Sequence, residues 1–141
     1  MTGYAQLKTY AFADAEQLCK QQPKPYFVFV HTSWCKYCSM MQQSTFKDPK
    51  VQELLNTHFY FISFNAEYKD DIRFHNHSYT YRPGGVHTGI HELASSLLDS
   101  AEQKTYPAIV IMDPDYNIRL QQTGYLGSKE ILLLLRSVIV R

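Results

Sequence analysis

The run Tyr26-Phe27-Val28-Phe29-Val30-His31, followed within a few residues by Trp34-Cys35-Lys36-Tyr37-Cys38, constrains this chain more than any other feature. The run is short, rich in β-branched and aromatic residues, and shows no polar alternation. Such a pattern predicts a strand buried on both faces, as in the middle of a parallel or mixed sheet. Thr32-Ser33-Trp34 then reads as a turn, and a helical pattern starts at Cys35. The two cysteines therefore fall where a buried strand gives way to a helix N-terminus. That end of a helix carries about half a positive charge and unpaired N–H groups, both of which favour a thiolate over a thiol.

The remaining elements follow from periodicity and punctuation. Phe12, Ala15, Leu18 and Cys19 recur at helical spacing and predict a first helix stopped by Pro23 and Pro25. Met40, Met41, Phe46, Val51, Leu54 and Leu55 predict one long helix broken at Asp48-Pro49, where Asp48 suits the N-cap and Pro49 the first helical turn. His58 to Phe64 reads as a second strand. Residues 65–85 show no clear period and predict a long loop, of the kind that often carries function. Thr88 is expected to cap a helix bearing Ile90, Leu93, Ala94, Leu97 and Leu98. Tyr106-Pro107 opens a third strand, a turn at Asp113–Asn117 leads into a partner strand over Ile118–Thr123, and Ser128 is expected to cap a last helix. Helices alternating with strands, closed by a hairpin, predict an α/β fold: a mixed central sheet with helices on both faces and an inserted loop before the third helix.

Composition excludes several classes. The 141 residues fit a single domain over 1–141, with 65–85 as an insertion. A net charge of +1 leaves no basic excess for nucleic acid. Three cysteines are too few for a disulfide-rich scaffold and leave one thiol unpaired. No apolar run, Ile131–Leu135 included, approaches the about 18 residues of a spanning helix, so no membrane span is expected. Met1–Tyr10 has neither the basic start nor the apolar stretch of an export signal. As the sequence stands the expected compartment is cytoplasmic, or periplasmic if an export signal has been trimmed.

The Cys35-x-x-Cys38 spacing brings the second sulfur within a helical turn of the first. At such a position the first cysteine's pKa falls from about 8.5 into the range of about 3.5–7.5. Cys35 is thus the expected nucleophile towards a disulfide, and Cys38 the resolving thiol. Lys36 adds positive charge beside the thiolate; with Tyr37 it forms the dipeptide between the cysteines. Together, the strand–WCxxC–helix context, Tyr106-Pro107 before an apolar strand, and the closing hairpin plus helix resemble the thioredoxin superfamily. Within it, Trp34-Cys35-x-x-Cys38, Thr45-Phe46-x-Asp48-Pro49-x-Val51 and Leu55 are similar to the C-terminal domain of DsbD interchange proteins and their soluble relatives. The likeness covers roughly residues 26–64 and 86–140.

The resemblance implies a thioredoxin fold, a cis Pro107 facing the cysteines, and substrate contacts from Trp34, Tyr106 and Pro107. It also implies thiol–disulfide oxidoreductase activity with no cofactor beyond the Cys35–Cys38 disulfide. The partners implied are a protein or small-molecule disulfide and an electron donor, with a tilt towards a reductase or electron carrier. One departure concerns proton transfer: the superfamily's buried acid, six residues before the first cysteine, is here Phe29, and His31 is the substitute proton acceptor within reach in sequence. Tyr106 is a bulky residue before the proline and narrows the expected docking surface.

Other residues invite weaker readings. Cys19 on the apolar face of the first helix reads as a packed thiol. His75-x-His77 and His87-x3-His91 have metal-compatible spacing, but such histidines are usually surface polarity, and no metal is expected. The aromatic segment 65–85, with Tyr79 and Tyr81, supports an alternative function as a non-catalytic partner-binding module.

Overall fold

The structure is a computed structural model that describes residues 6–85, 89–98 and 105–139. In chain order, α1 (Phe12–Gln21) leads to β1 (Tyr26–His31), α2 (Lys36–Gln43), a 3-10 turn at Thr45–Lys47, α3 (Pro49–His58) and β2 (Tyr60–Asn65). Four short strands follow: β3 (Ile72–Phe74), β4 (His77–Tyr79), β5 (Tyr81–Arg82) and β6 (Ile90–His91). The chain closes with α4 (Glu92–Leu97), β7 (Ala108–Met112), β8 (Ile118–Thr123) and α5 (Ser128–Ile139). The main sheet runs β2-β1-β7-β8; β1 pairs parallel with β2 and antiparallel with β7, and β7 antiparallel with β8. β1 is an interior strand, as its unbroken apolar run requires.

The period of two along each strand splits the core into two layers. Val28, Val30, Ile62, Phe64, Ala108 and Val110 face α1 and α4, with Phe12, Ala15, Cys19, Leu93 and Leu97. Phe27, Phe29, Phe61, Ile109 and Ile111 face α2, α3 and α5, with Met41, Val51, Leu55, Ile131 and Leu135. The cysteine pair belongs to the second layer.

Local chemistry moved several boundaries. The long second helix is two, because α2 ends at Gln43 rather than at Asp48-Pro49. The Ser44 hydroxyl bonds back to Met40 O, and the buried Thr45 donates its hydroxyl to Leu126 O at 2.8 Å, turning the chain into the 3-10 segment. Asp48 does cap α3, accepting from the N–H groups of Lys50 and Val51. The last helix begins at Ser128 itself, and the Gly127 N–H is taken by Glu130 Oε1 at 2.9 Å.

Residues 65–85 are not a featureless loop. β3 and β4 form a hairpin turned by His75 and Asn76, both at positive φ, and β5 pairs with β6 further along the chain. Phe74 anchors the first hairpin against Phe12, Tyr26 and Tyr116. The third helix starts at Glu92 and not near Thr88, which lies outside the described residues; Ile90 is in β6, and His91 is the N-cap.

Candidate functional site

β1 ends at His31, and the next residues turn directly into α2. Cys35 is the N-cap of α2, with φ −84 and ψ 111, and its Sγ accepts the Cys38 N–H at 3.1 Å. The two cysteines are joined as a disulfide with Cα atoms 5.3 Å apart, inside the usual range for such bonds. They are unequal: Cys35 is 8% exposed and Cys38 is 1%. Cys35, at the helix N-terminus, is the less buried of the two, and its sulfur is the one the amide dipoles favour as a thiolate.

The rim around Cys35 is aromatic and exposed. Trp34 is 44% exposed and meets Tyr106 edge-on, with ring centroids 6.2 Å apart. Tyr106 and Pro107 are joined by a cis peptide bond, and Pro107 is buried at the entry to β7. Tyr37, 57% exposed, lies 6.2 Å from Tyr125 in the β8–α5 loop. That loop is held by three bonds: Gly124 N–H to Pro107 O, the Thr45 hydroxyl to Leu126 O, and Gly127 N–H to Glu130. Gly124 sits at φ +98, a conformation that suits glycine. Of the residues named from sequence, Trp34, Lys36 and Tyr37 flank Cys35 along the chain, Tyr106 meets the Trp34 ring, and Pro107 follows Tyr106 through the cis bond. Burial pushes the Tyr106 hydroxyl pKa up, with a smaller push from the Glu67 carboxylate.

The layer beneath is apolar. Phe29 is fully buried, 4.8 Å from Phe46, and Phe46 meets Phe61 at 5.1 Å. No carboxylate is buried among the described residues. His31 stacks on Phe29 at 5.4 Å, and its Nε2 meets the Ser63 Oγ at 3.0 Å. Burial lowers the His31 pKa, so the ring is mainly neutral near pH 7. Its side-chain hydrogen bond goes to Ser63 rather than to Cys38.

Sequence reasoning missed Glu67. Its Oε2 accepts the Trp34 indole N–H at 3.1 Å. Its backbone is fixed by a turn in which Asn65 Oδ1 accepts the Glu67 N–H and Asn65 O accepts the Tyr68 N–H. The contact spans 33 positions along the chain, and no local pattern signals it.

The histidines serve the fold. His91 is completely buried; its Nδ1 accepts the Leu93 N–H and its Nε2 meets Asp70 O at 2.9 Å, so both ring nitrogens are occupied. His75 stacks on Tyr116 at 3.7 Å, and His77 lies against Tyr79 at 4.6 Å. His87 lies outside the described residues. Among the described residues no group of three or more His, Cys, Asp or Glu side chains is arranged to hold a metal. Cys19 is buried and donates to Lys24 O at 3.4 Å, the packed thiol the sequence suggested.

The model of the thioredoxin-like domain family matches residues 12–139. Solved structures with the same fold include the DsbH oxidoreductase, 18% identical, covering 97% of this chain and 88% of that one with a TM-score of 0.67. A thioredoxin from Thermus thermophilus is 22% identical, with 96% and 89% covered and a TM-score of 0.67. The reduced C-terminal domain of DsbD from Neisseria meningitidis is 16% identical, with 89% and 90% covered and a TM-score of 0.57. No curated protein sequence matches the chain. Among the described residues no helix is long and apolar enough to cross a membrane.

Proposed function

The chain belongs to the thioredoxin-like family, and from that premise we propose that it is a protein thiol–disulfide oxidoreductase working as a disulfide reductase or electron carrier. The observation that carries this reading is the asymmetry of the pair: Cys35 caps a helix and keeps the larger exposure, while Cys38 is almost completely buried. In the reduced protein the Cys35 thiolate attacks one sulfur of a substrate disulfide. A mixed disulfide forms, and the other substrate sulfur leaves as a thiolate that takes a proton from solvent. Cys38, on losing its own proton, attacks Cys35 Sγ. The Cys35–Cys38 bond closes and the second substrate thiol departs, so two electrons have moved from the dithiol to the substrate. A separate electron donor returns the pair to the dithiol.

Trp34 and the Tyr106-Pro107 turn receive the substrate chain, and Tyr37 and Lys36 border it. The exposed rings beside Cys35 and the family resemblance support these roles. The likeness to the DsbD C-terminal domain favours net reduction, and a protein disulfide outside the cytosol as substrate. The rival reading, a docking module on 65–85, loses support because Tyr79 packs on the core and the Tyr81 ring receives Lys69 Nζ at 3.8 Å. Turbidity of insulin in dithiothreitol tests the proposal: the protein is expected to shorten the lag before precipitation in proportion to its concentration. A lag equal to that of dithiothreitol alone would overturn it.

A further inference from the structure

The Trp34–Glu67 pair places a carboxylate on the rim of the site, two residues beyond the end of β2. Glu67 is half-buried and its backbone is pinned on both sides. The Asn65 turn holds its own N–H, and the preceding Ala66 bonds through its N–H to His31 O at 2.7 Å and through its O to His91 N–H at 2.6 Å. Its Oε2 is taken by the indole, and Oε1 has no hydrogen-bond partner among the described residues. The charge is therefore held beside Trp34 and close enough to Tyr106 to act on its hydroxyl, while Lys36 stands at the start of α2.

We infer that Glu67 is a specificity-determining residue that favours disulfides flanked by basic side chains and disfavours acidic ones. The inference rests on the oxidoreductase reading above. A cation on a substrate chain lying over Trp34 and Tyr106 comes within reach of Oε1 at the rim. A unit-charge pair about 4 Å apart in water is worth about fivefold in rate. Lys36, next to Cys35 in the chain, acts with the opposite sign.

The test uses the full chain in its dithiol form and two peptides with an internal disulfide, identical except for Lys or Glu next to each cysteine. Single-turnover rates are expected to favour the Lys peptide by about fivefold at low salt. The preference should shrink towards one at 1 M salt, where the screening length falls to about 3 Å. Glu67→Gln keeps an oxygen for the indole and removes only the charge; it should bring the ratio near one while leaving Trp34 fluorescence unchanged. Glu67→Lys should invert the ratio, and Lys36→Gln should raise it. An unchanged ratio in Glu67→Gln, a ratio near one in the wild type at low salt, or a slowing shared equally by both peptides would overturn the inference. If neither peptide is reduced at all, the oxidoreductase reading falls, and the inference with it.

Discussion

Replacing Cys35 with serine is expected to drop insulin-disulfide turnover to the level of dithiothreitol alone, whereas replacing Cys38 with serine should arrest the reaction halfway. The two variants differ because the two sulfurs do. Cys35 is the less buried of the two and stands at the N-terminus of α2, so without it no substrate disulfide is opened. Cys38 is buried in the layer formed by Phe29, Met41 and Phe46 and is bonded to Cys35. Its loss leaves the first attack intact, so once dithiothreitol is removed substrate should accumulate on Cys35 as a covalent adduct, which added dithiothreitol releases. Non-reducing electrophoresis and intact-mass measurement read this directly. An adduct on Cys38 in the Cys35→Ser variant, or full turnover in either variant, would reverse the assignment.

Phe29→Asp has the second large expected effect, and it falls on stability. The position is the superfamily's place for a buried acid, yet here it lies in an aromatic stack with Phe46 and His31. Removing a buried phenyl ring costs about 3–5 kcal/mol. A carboxyl placed there finds no partner among the buried side chains described, so its burial costs more. The total should take a large share of the about 5–15 kcal/mol that holds an ordinary domain together. The sign of the pH dependence follows. Burial raises the pKa of the new acid above its unfolded value of about 3.9, so the folded state binds more protons and stability falls as pH rises through and beyond that value. Urea melts should show the variant at least about 4 kcal/mol less stable than the wild type at pH 7, and weaker still at pH 8 than at pH 5. A variant as stable as the wild type would mean that this layer tolerates a charge.

The site was legible in the sequence wherever local pattern and covalent spacing fix geometry. The apolar run of β1 and the WCxxC that follows placed Cys35 at a helix start without any structure. Asp48 declared itself as a cap because its side chain reaches only two and three residues ahead. The misreadings share a cause: each turned on a pairing or contact that leaves no period in the sequence. Residues 65–85 looked structureless because β3, β4 and β5 are only two or three residues long, too short for a period to show. Ile90 was assigned to a helix because its strand exists only through pairing with Arg82. Glu67 carries no local signal in the sequence, because its indole partner stands 33 positions away in the β1–α2 turn. His91 shows the same effect in reverse: a spacing that suggested a metal ligand belongs to a buried ring whose two nitrogens serve Asp70 and Leu93.

The most direct test of the central claim is the reduction potential of the Cys35–Cys38 pair. It is read by equilibrating the protein in dithiothreitol or glutathione buffers and trapping free thiols. The expected result is one reversible two-electron couple near the thioredoxin value of about −270 mV, as a reductase or electron carrier requires. A couple near about −120 mV, the value of a strong oxidant such as DsbA, would contradict the direction proposed; absence of any reversible couple would contradict the redox function itself.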